Sequence, residues 1–130
     1  MKLLLLLSIL ATLALSNSDC QSKTAAEKLK GRLEIAGICS NYTIQVLEGD
    51  PGKDAVEANW TDETTGKQYD NVFRLENPCD FPATIKQGDE FYFVIDSSNS
   101  KPCTVCMAYY PTPTKNYLLK LSPECIHCWR

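Results

Sequence analysis

Seven cysteines, at positions 20, 39, 79, 103, 106, 125 and 128, are the residues of this 130-residue chain best able to do chemistry. Cys103-Thr104-Val105-Cys106 and Cys125-Ile126-His127-Cys128, with 18 residues between them, match the spacing of a zinc ribbon, in which four thiolates surround the metal. Cys125-Ile126-His127-Cys128 also has the Cys-x-His-Cys form of a disulfide oxidoreductase centre, where a helix N-terminus lowers the pKa of the first thiol. That copy follows Pro123 and lacks the βαβ pattern such centres sit in. The third chemistry is pairing. Three bridges would use six cysteines and leave one free or joined to another chain, and spacing alone does not give the connectivity.

The compartment decides among the three. Met1-Lys2 followed by the apolar run of residues 3–15 has the form of a secretory signal, and falls short of the roughly 20 apolar residues that span a bilayer. Small residues at Ala14 and Ser16 place the cut after Ser16, with Ser18 as the alternative. Residues 1–16 are therefore expected to leave, and 17–130 to form one secreted, extracellular disulfide-rich domain. Lys2 leaves with the signal, so 12 bases against 16 acids give the mature chain a net charge of −4. Secreted thiols oxidise, which favours disulfides over zinc and over redox catalysis, so no metal and no cofactor is expected. Two sequons, Asn41-Tyr42-Thr43 and Asn59-Trp60-Thr61, make Asn41 and Asn59 the glycosylation candidates.

Catalytic sets are missing from the rest of the chain. His127 is the single histidine, so neither a second imidazole ligand nor a well-placed Ser-His-Asp triad is available. Asp62/Glu63 and Asp89/Glu90 are adjacent acids within turns, where solvated surface is the ordinary role. No glycine-rich phosphate loop occurs. Trp60, Tyr109 and Tyr110 are candidates for a binding patch or for half-buried core. The negative charge disfavours nucleic acid, whose phosphates select for Lys/Arg excess. We expect a non-enzymatic binding domain whose partner is an extracellular protein or matrix component. The odd cysteine allows a disulfide-linked dimer.

These residues need a scaffold, and its periodicity is mostly two. Leu33/Ile35, Tyr42/Ile44/Val46, Val56/Ala58/Trp60, Tyr69/Asn71/Phe73/Leu75, Val105/Met107/Tyr109 and Tyr117/Leu119/Leu121 alternate with polar neighbours, as half-buried strands do. Phe91-Tyr92-Phe93-Val94-Ile95 is apolar on both faces and reads as a central strand. Ala25, Ala26 and Leu29 share a helical face, which predicts one short N-terminal helix over 21–32. Turn signals separate the strands, among them Gly49-Asp50-Pro51-Gly52, Thr64-Thr65-Gly66 and Ser97-Ser98-Asn99-Ser100. The fold class is mainly β: a small disulfide-stapled antiparallel barrel or a sandwich.

From Cys79 onward the order of features resembles the netrin-like module of tissue inhibitors of metalloproteinases. Cys79 stands twelve residues before Phe91, Cys106 leads through aromatics into a Pro-containing loop, and Cys125-x-x-Cys128 closes the pattern. Residues 31–38 and 42–49 would match that family's first two barrel strands. The resemblance implies an OB-type barrel, a bridge from Cys20 to Cys79 or Cys106, and inhibition of an extracellular protease. Those inhibitors begin with Cys-x-Cys, whose amine and carbonyl chelate the protease zinc. Here Cys20 stands alone after Asn17-Ser18-Asp19, and that group is missing. Terminal sequencing of protein secreted into the medium should read Asn17 first, or Asp19 for the alternative cut. A first residue of Cys20 would instead restore the inhibitor mechanism.

Overall fold

The computed structural model describes residues 27–99 and 101–123. They form seven strands: β1 (Leu29–Ala36), β2 (Tyr42–Glu48), β3 (Trp60–Thr61), β4 (Gln68–Tyr69), β5 (Val72–Leu75), β6 (Glu90–Asp96) and β7 (Asn116–Leu121). Five of them close a barrel in the order β1-β2-β5-β7-β6, while β3 and β4 make a separate hairpin. The sandwich alternative is thereby excluded, and the OB-like reading holds. One pairing departs from the antiparallel expectation, because β5 and β7 run parallel through Arg74↔Asn116 and Leu75↔Tyr117. Two strands that point the same way need a long crossover between them, and the chain makes it through β6.

The barrel interior is filled by side chains that register places opposite one another. Leu33 faces Ile44 across β1/β2, Ile44 faces Phe73 across β2/β5, and Leu29 faces Phe93 across β1/β6. Phe73 and Phe93 are both fully buried, with ring centroids 5.9 Å apart. Phe91 and Phe81 meet edge to face at 5.5 Å and cap the same core.

β1 is where the helical expectation fails. Leu29-Lys30-Gly31-Arg32 is strand, not the end of a helix, and residues 21–26 lie outside the described residues. Burial alternates from Leu29 through Gly31 and Leu33 to Ile35, so period two wins over the i, i+4 match once β2 and β6 are present on either side. Gly31 is a close-approach residue. A Cβ there would lie 2.7 Å from the Phe93 ring and 3.0 Å from the Gln45 carbonyl oxygen. An irregularity between Leu33 and Ile35 then shifts the register, so that Ile35 faces Thr43 while Leu33 faces Ile44. A bulge of this kind turns the strand over. Ile35 leaves the barrel core for a second cluster with Tyr69 and Val72, covered by Trp60 and Tyr110.

Two other expected strands differ. The stretch from Tyr69 to Leu75 breaks at Asn71, whose φ of 54° is left-handed, and becomes β4 and β5. Val105/Met107/Tyr109 alternates in sequence but forms no strand, because a closed barrel offers no free edge to pair with. Of Val56/Ala58/Trp60, only Trp60 enters a strand, and Glu57 makes a single bridge to Val72. Gly31→Ala should lower unfolding stability by about 1–3 kcal/mol, the usual cost of forcing an extra methyl into a packed core. Urea denaturation followed by tryptophan fluorescence would measure it.

Candidate functional site: a disulfide-clamped loop

The long connection from β6 to β7 is irregular over its described residues, 97–99 and 101–115, and two bridges hold it. Cys79 sits in the 3-10 turn Pro78–Asp80 that follows β5, and bonds Cys103. Cys39 sits in the 3-10 turn Ile38–Ser40 between β1 and β2, and bonds Cys106. Strand directions put both turns at one end of the barrel, where β1 and β5 finish and β2 begins. The loop leaves β6 beside the Pro78–Asp80 turn, because Asp96 pairs with Leu118 while Asn77 hydrogen-bonds the adjacent Leu119, and it returns beside β5, where the Arg74 N–H donates to the Lys115 carbonyl at 2.8 Å. Bridges of this kind stabilise a small domain by roughly 2–4 kcal/mol each, chiefly by restricting the unfolded chain.

Several expectations are settled by these pairings. Cys103 and Cys106 take different partners, one at each of the two turns. The Cys20 bridge implied by the netrin-like resemblance is overturned, since Cys79 and Cys106 are both bonded elsewhere. The zinc-ribbon spacing loses two of its four thiolates to disulfides. Cys20, Cys125, Cys128 and His127 lie outside the described residues, and the redox reading with them. Among the described residues no three His, Cys, Asp or Glu side chains cluster as metal ligands.

The turn that carries Cys39 is tightly determined. Cys39 and Ser40 both have left-handed φ, 58° and 59°, which non-glycine residues adopt only where neighbours impose it. Gly37 N–H donates to the Asn41 carbonyl at 2.9 Å, and the Asn41 side-chain amide donates to the Ile38 carbonyl at 2.9 Å. A Cβ on Gly37 would lie 3.0 Å from the Tyr110 ring, so the glycine lets the loop pack against the turn. Asn41 is accordingly half-buried, whereas Asn59 is exposed.

On this frame four large apolar side chains face solvent: Ile38 (58% exposed), Val105 (41%), Met107 (100%) and Tyr109 (81%). Ile38 neighbours Cys39, and Val105 and Met107 flank Cys106, so one bridge ties three of the four together. The aromatic trio separates. Trp60 and Tyr110 are half-buried against the second cluster, and Tyr109 alone is presented outward, its hydroxyl 3.5 Å from the Glu63 carboxylate. Sequence reasoning missed Ile38 and spent Val105 and Met107 on a strand. The signal that would have found them is the bracketing of 97–113 by Ser/Asn and Pro turns, with two cysteines between.

The paired acids are structural. Asp62 is 1% exposed and accepts the Thr64 N–H at 2.9 Å, the Thr64 hydroxyl at 2.7 Å and the Thr65 hydroxyl at 2.8 Å, which closes the β3–β4 turn beneath Glu63. Burial pushes its pKa up, and the Thr64 and Thr65 donors outweigh burial and hold the carboxyl below its ordinary value. The Asp89 carboxylate accepts the Lys86 N–H at 2.8 Å, closing the turn before β6. Glu90 pairs with Arg32 at 2.7 Å and Lys30 at 2.9 Å, and these cations, Arg32 first, hold its carboxyl low as well.

No helix among the described residues is long and apolar enough to cross a membrane. No family model, curated protein or solved structure matches the chain.

Asp62→Ala should destabilise the protein by about 1–3 kcal/mol at neutral pH, from the loss of the hydrogen bonds that its carboxylate accepts. Because the folded pKa lies below the unfolded one, the unfolded chain binds the extra proton in acid. The Asp62 contribution is therefore fully present above the unfolded value of about 3.9 and is lost as pH falls through the folded pKa. Urea unfolding of wild type and variant should show curves that converge below about pH 4.

Proposed function

We propose that this chain is a secreted, disulfide-stabilised glycoprotein that acts without catalysis, binding an extracellular protein or matrix component through the clamped loop. The observation that carries the reading is the exposure of Ile38, Val105, Met107 and Tyr109 together, on segments that two disulfides hold to the barrel. Such side chains lower the free energy of association when covered, and a pre-ordered loop loses little entropy on binding. Tyr and Met are the residue types enriched at protein interfaces. The loops involved join the first to the second and the fourth to the fifth barrel strands, the position OB-type barrels use for ligands. That last support is an analogy of fold.

The two bridges fit an oxidising compartment, as the apolar leader does. They use four of the seven cysteines, and the odd remainder leaves one thiol free or linked to a second chain. Protease inhibition and thiol-disulfide activity through Cys125 and Cys128 have no observation in their favour among the described residues.

Wild-type protein and the variant Met107→Asp/Tyr109→Ser should be compared on arrays of extracellular ectodomains and matrix components. Both side chains are exposed, so unfolding stability should change by less than about 0.5 kcal/mol. Binding to whichever ectodomain or matrix component the wild type captures should fall at least about tenfold, equivalent to 1.4 kcal/mol. Unchanged capture by the variant would overturn the assignment of the loop. Six free thiols in denatured protein from the medium would overturn the secreted, disulfide-bonded reading itself.

A further inference from the structure

Beside the Cys79–Cys103 bridge lies a groove apart from the loop tip, walled in part by the core residues Phe81 and Leu119. It has a volume of about 460 Å³, between Ser98, Asn99 and Lys101 on one side and β7 and the Pro78–Asp80 turn on the other. That is within the roughly 300–1,000 Å³ typical of small-molecule sites. Its apolar wall is Phe81, Leu118, Leu119 and Leu121. Asn77, which also lines it, is fully used. Its amide donates to the Leu119 carbonyl and its oxygen accepts the Leu119 N–H, extending the edge of β7 by one side chain.

Four charged side chains line the groove, and they differ in how they are satisfied. Asp96 and Lys120 neutralise each other at 3.0 Å. The Ser98 N–H, then Lys120, hold the Asp96 carboxyl at a pKa of about 2, so that pair is closed at neutral pH. Asp80 and Lys101 are exposed, and neither side chain makes an ion pair or hydrogen bond with another described residue. Unpaired surface charges are ordinary one at a time. These two have opposite signs, line one cavity, and stand on the two segments that a covalent bond joins. Asp80 follows Cys79, Lys101 precedes Cys103 by two residues, and the bridged Cα atoms are 5.8 Å apart. The bridge keeps both rims in place whether or not anything lies between them.

We propose that this groove binds a small zwitterion with an apolar side chain, namely a free α-amino acid of leucine or phenylalanine size. Asp80 receives the ammonium, Lys101 receives the carboxylate, and the side chain rests on Phe81 and Leu118. An apolar anion or cation would leave one of the two rim charges unanswered. A zwitterion answers both, and a covalently set pair of rims loses little order in accepting it. This site is separate from the loop surface and does not rest on the protein-binding reading.

Calorimetric titration with L-leucine and L-phenylalanine should show saturable binding. N-acetyl-leucine, which lacks the ammonium, and leucinamide, which lacks the carboxylate, should each bind at least about tenfold more weakly. Asp80→Asn should weaken leucine and erase its advantage over N-acetyl-leucine. Lys101→Gln should weaken leucine and erase its advantage over leucinamide. Met107→Asp/Tyr109→Ser should bind leucine as the wild type does, which keeps this result distinct from that for the loop. Absence of saturable binding by either amino acid, or unchanged selectivity in the two groove variants, would overturn the proposal.

Discussion

β1 carries two ladders at once, with β2 on one edge and β6 on the other, and the barrel closes through it. The constraint is steric as much as it is a matter of hydrogen bonds. At Gly31 the Phe93 ring of the neighbouring strand occupies the space a side chain would fill. Phe93 in turn packs on Phe73, so the bare Cα of one residue sets how near β6 approaches β1 and how the aromatic core fits. With no free edge left, segments that alternate in sequence but arrive outside the five strands have no ladder to join. They lie over the barrel as irregular chain.

The long connection between β6 and β7 shows what such a segment needs in order to be ordered. Its backbone has few ladder bonds, and the entropy of holding it is met by two disulfides to the turns at one end and by polar contacts near its return. Glu57 there takes the Thr114 N–H, the Thr114 hydroxyl and the Lys115 N–H on one carboxylate oxygen. With Tyr110 packed on the second cluster and Pro111 and Pro113 buried as well, Val105, Met107 and Tyr109 are left facing solvent. The bulge in β1 works in the same direction. By turning Ile35 outward it gives the hairpin and Tyr110 something apolar to cover, and so brings β3–β4 next to the exposed Tyr109.

Charge plays a local part. Asp62, Asp89 and Asp96 each accept a backbone N–H in a turn, and Glu90 sits between Arg32 and Lys30 at the mouth of the β1/β6 ladder. Surface pairs of this kind contribute little, roughly 0–1 kcal/mol each. Their effect is to fix turns and to remove these carboxylates from the set free to act on a ligand. Asp80 and Lys101 stand apart from that pattern.

Much of the strand content was legible because burial on one face forces period two, as in Tyr42/Ile44/Val46 and Phe91/Phe93. The mainly β class and the choice of barrel or sandwich follow from that periodicity and the turn signals, while the OB-like form came only with the netrin-like resemblance. Local pattern failed where two periods overlapped, at Leu29–Arg32, and where alternation had no partner strand, at Val105/Met107/Tyr109. The seven cysteines are informative as composition and nearly silent as geometry. Their number and the apolar leader argue for an oxidising compartment. Which sulfur meets which depends on where the turns after β1 and β5 lie relative to the returning loop, and sequence separations of 67 and 24 do not encode that. The tertiary structure alone decided it, because β2 pairs antiparallel with both β1 and β5 and so brings those two turns to the same end. The same pairing took Cys103 and Cys106 from a candidate zinc ribbon into two clamps.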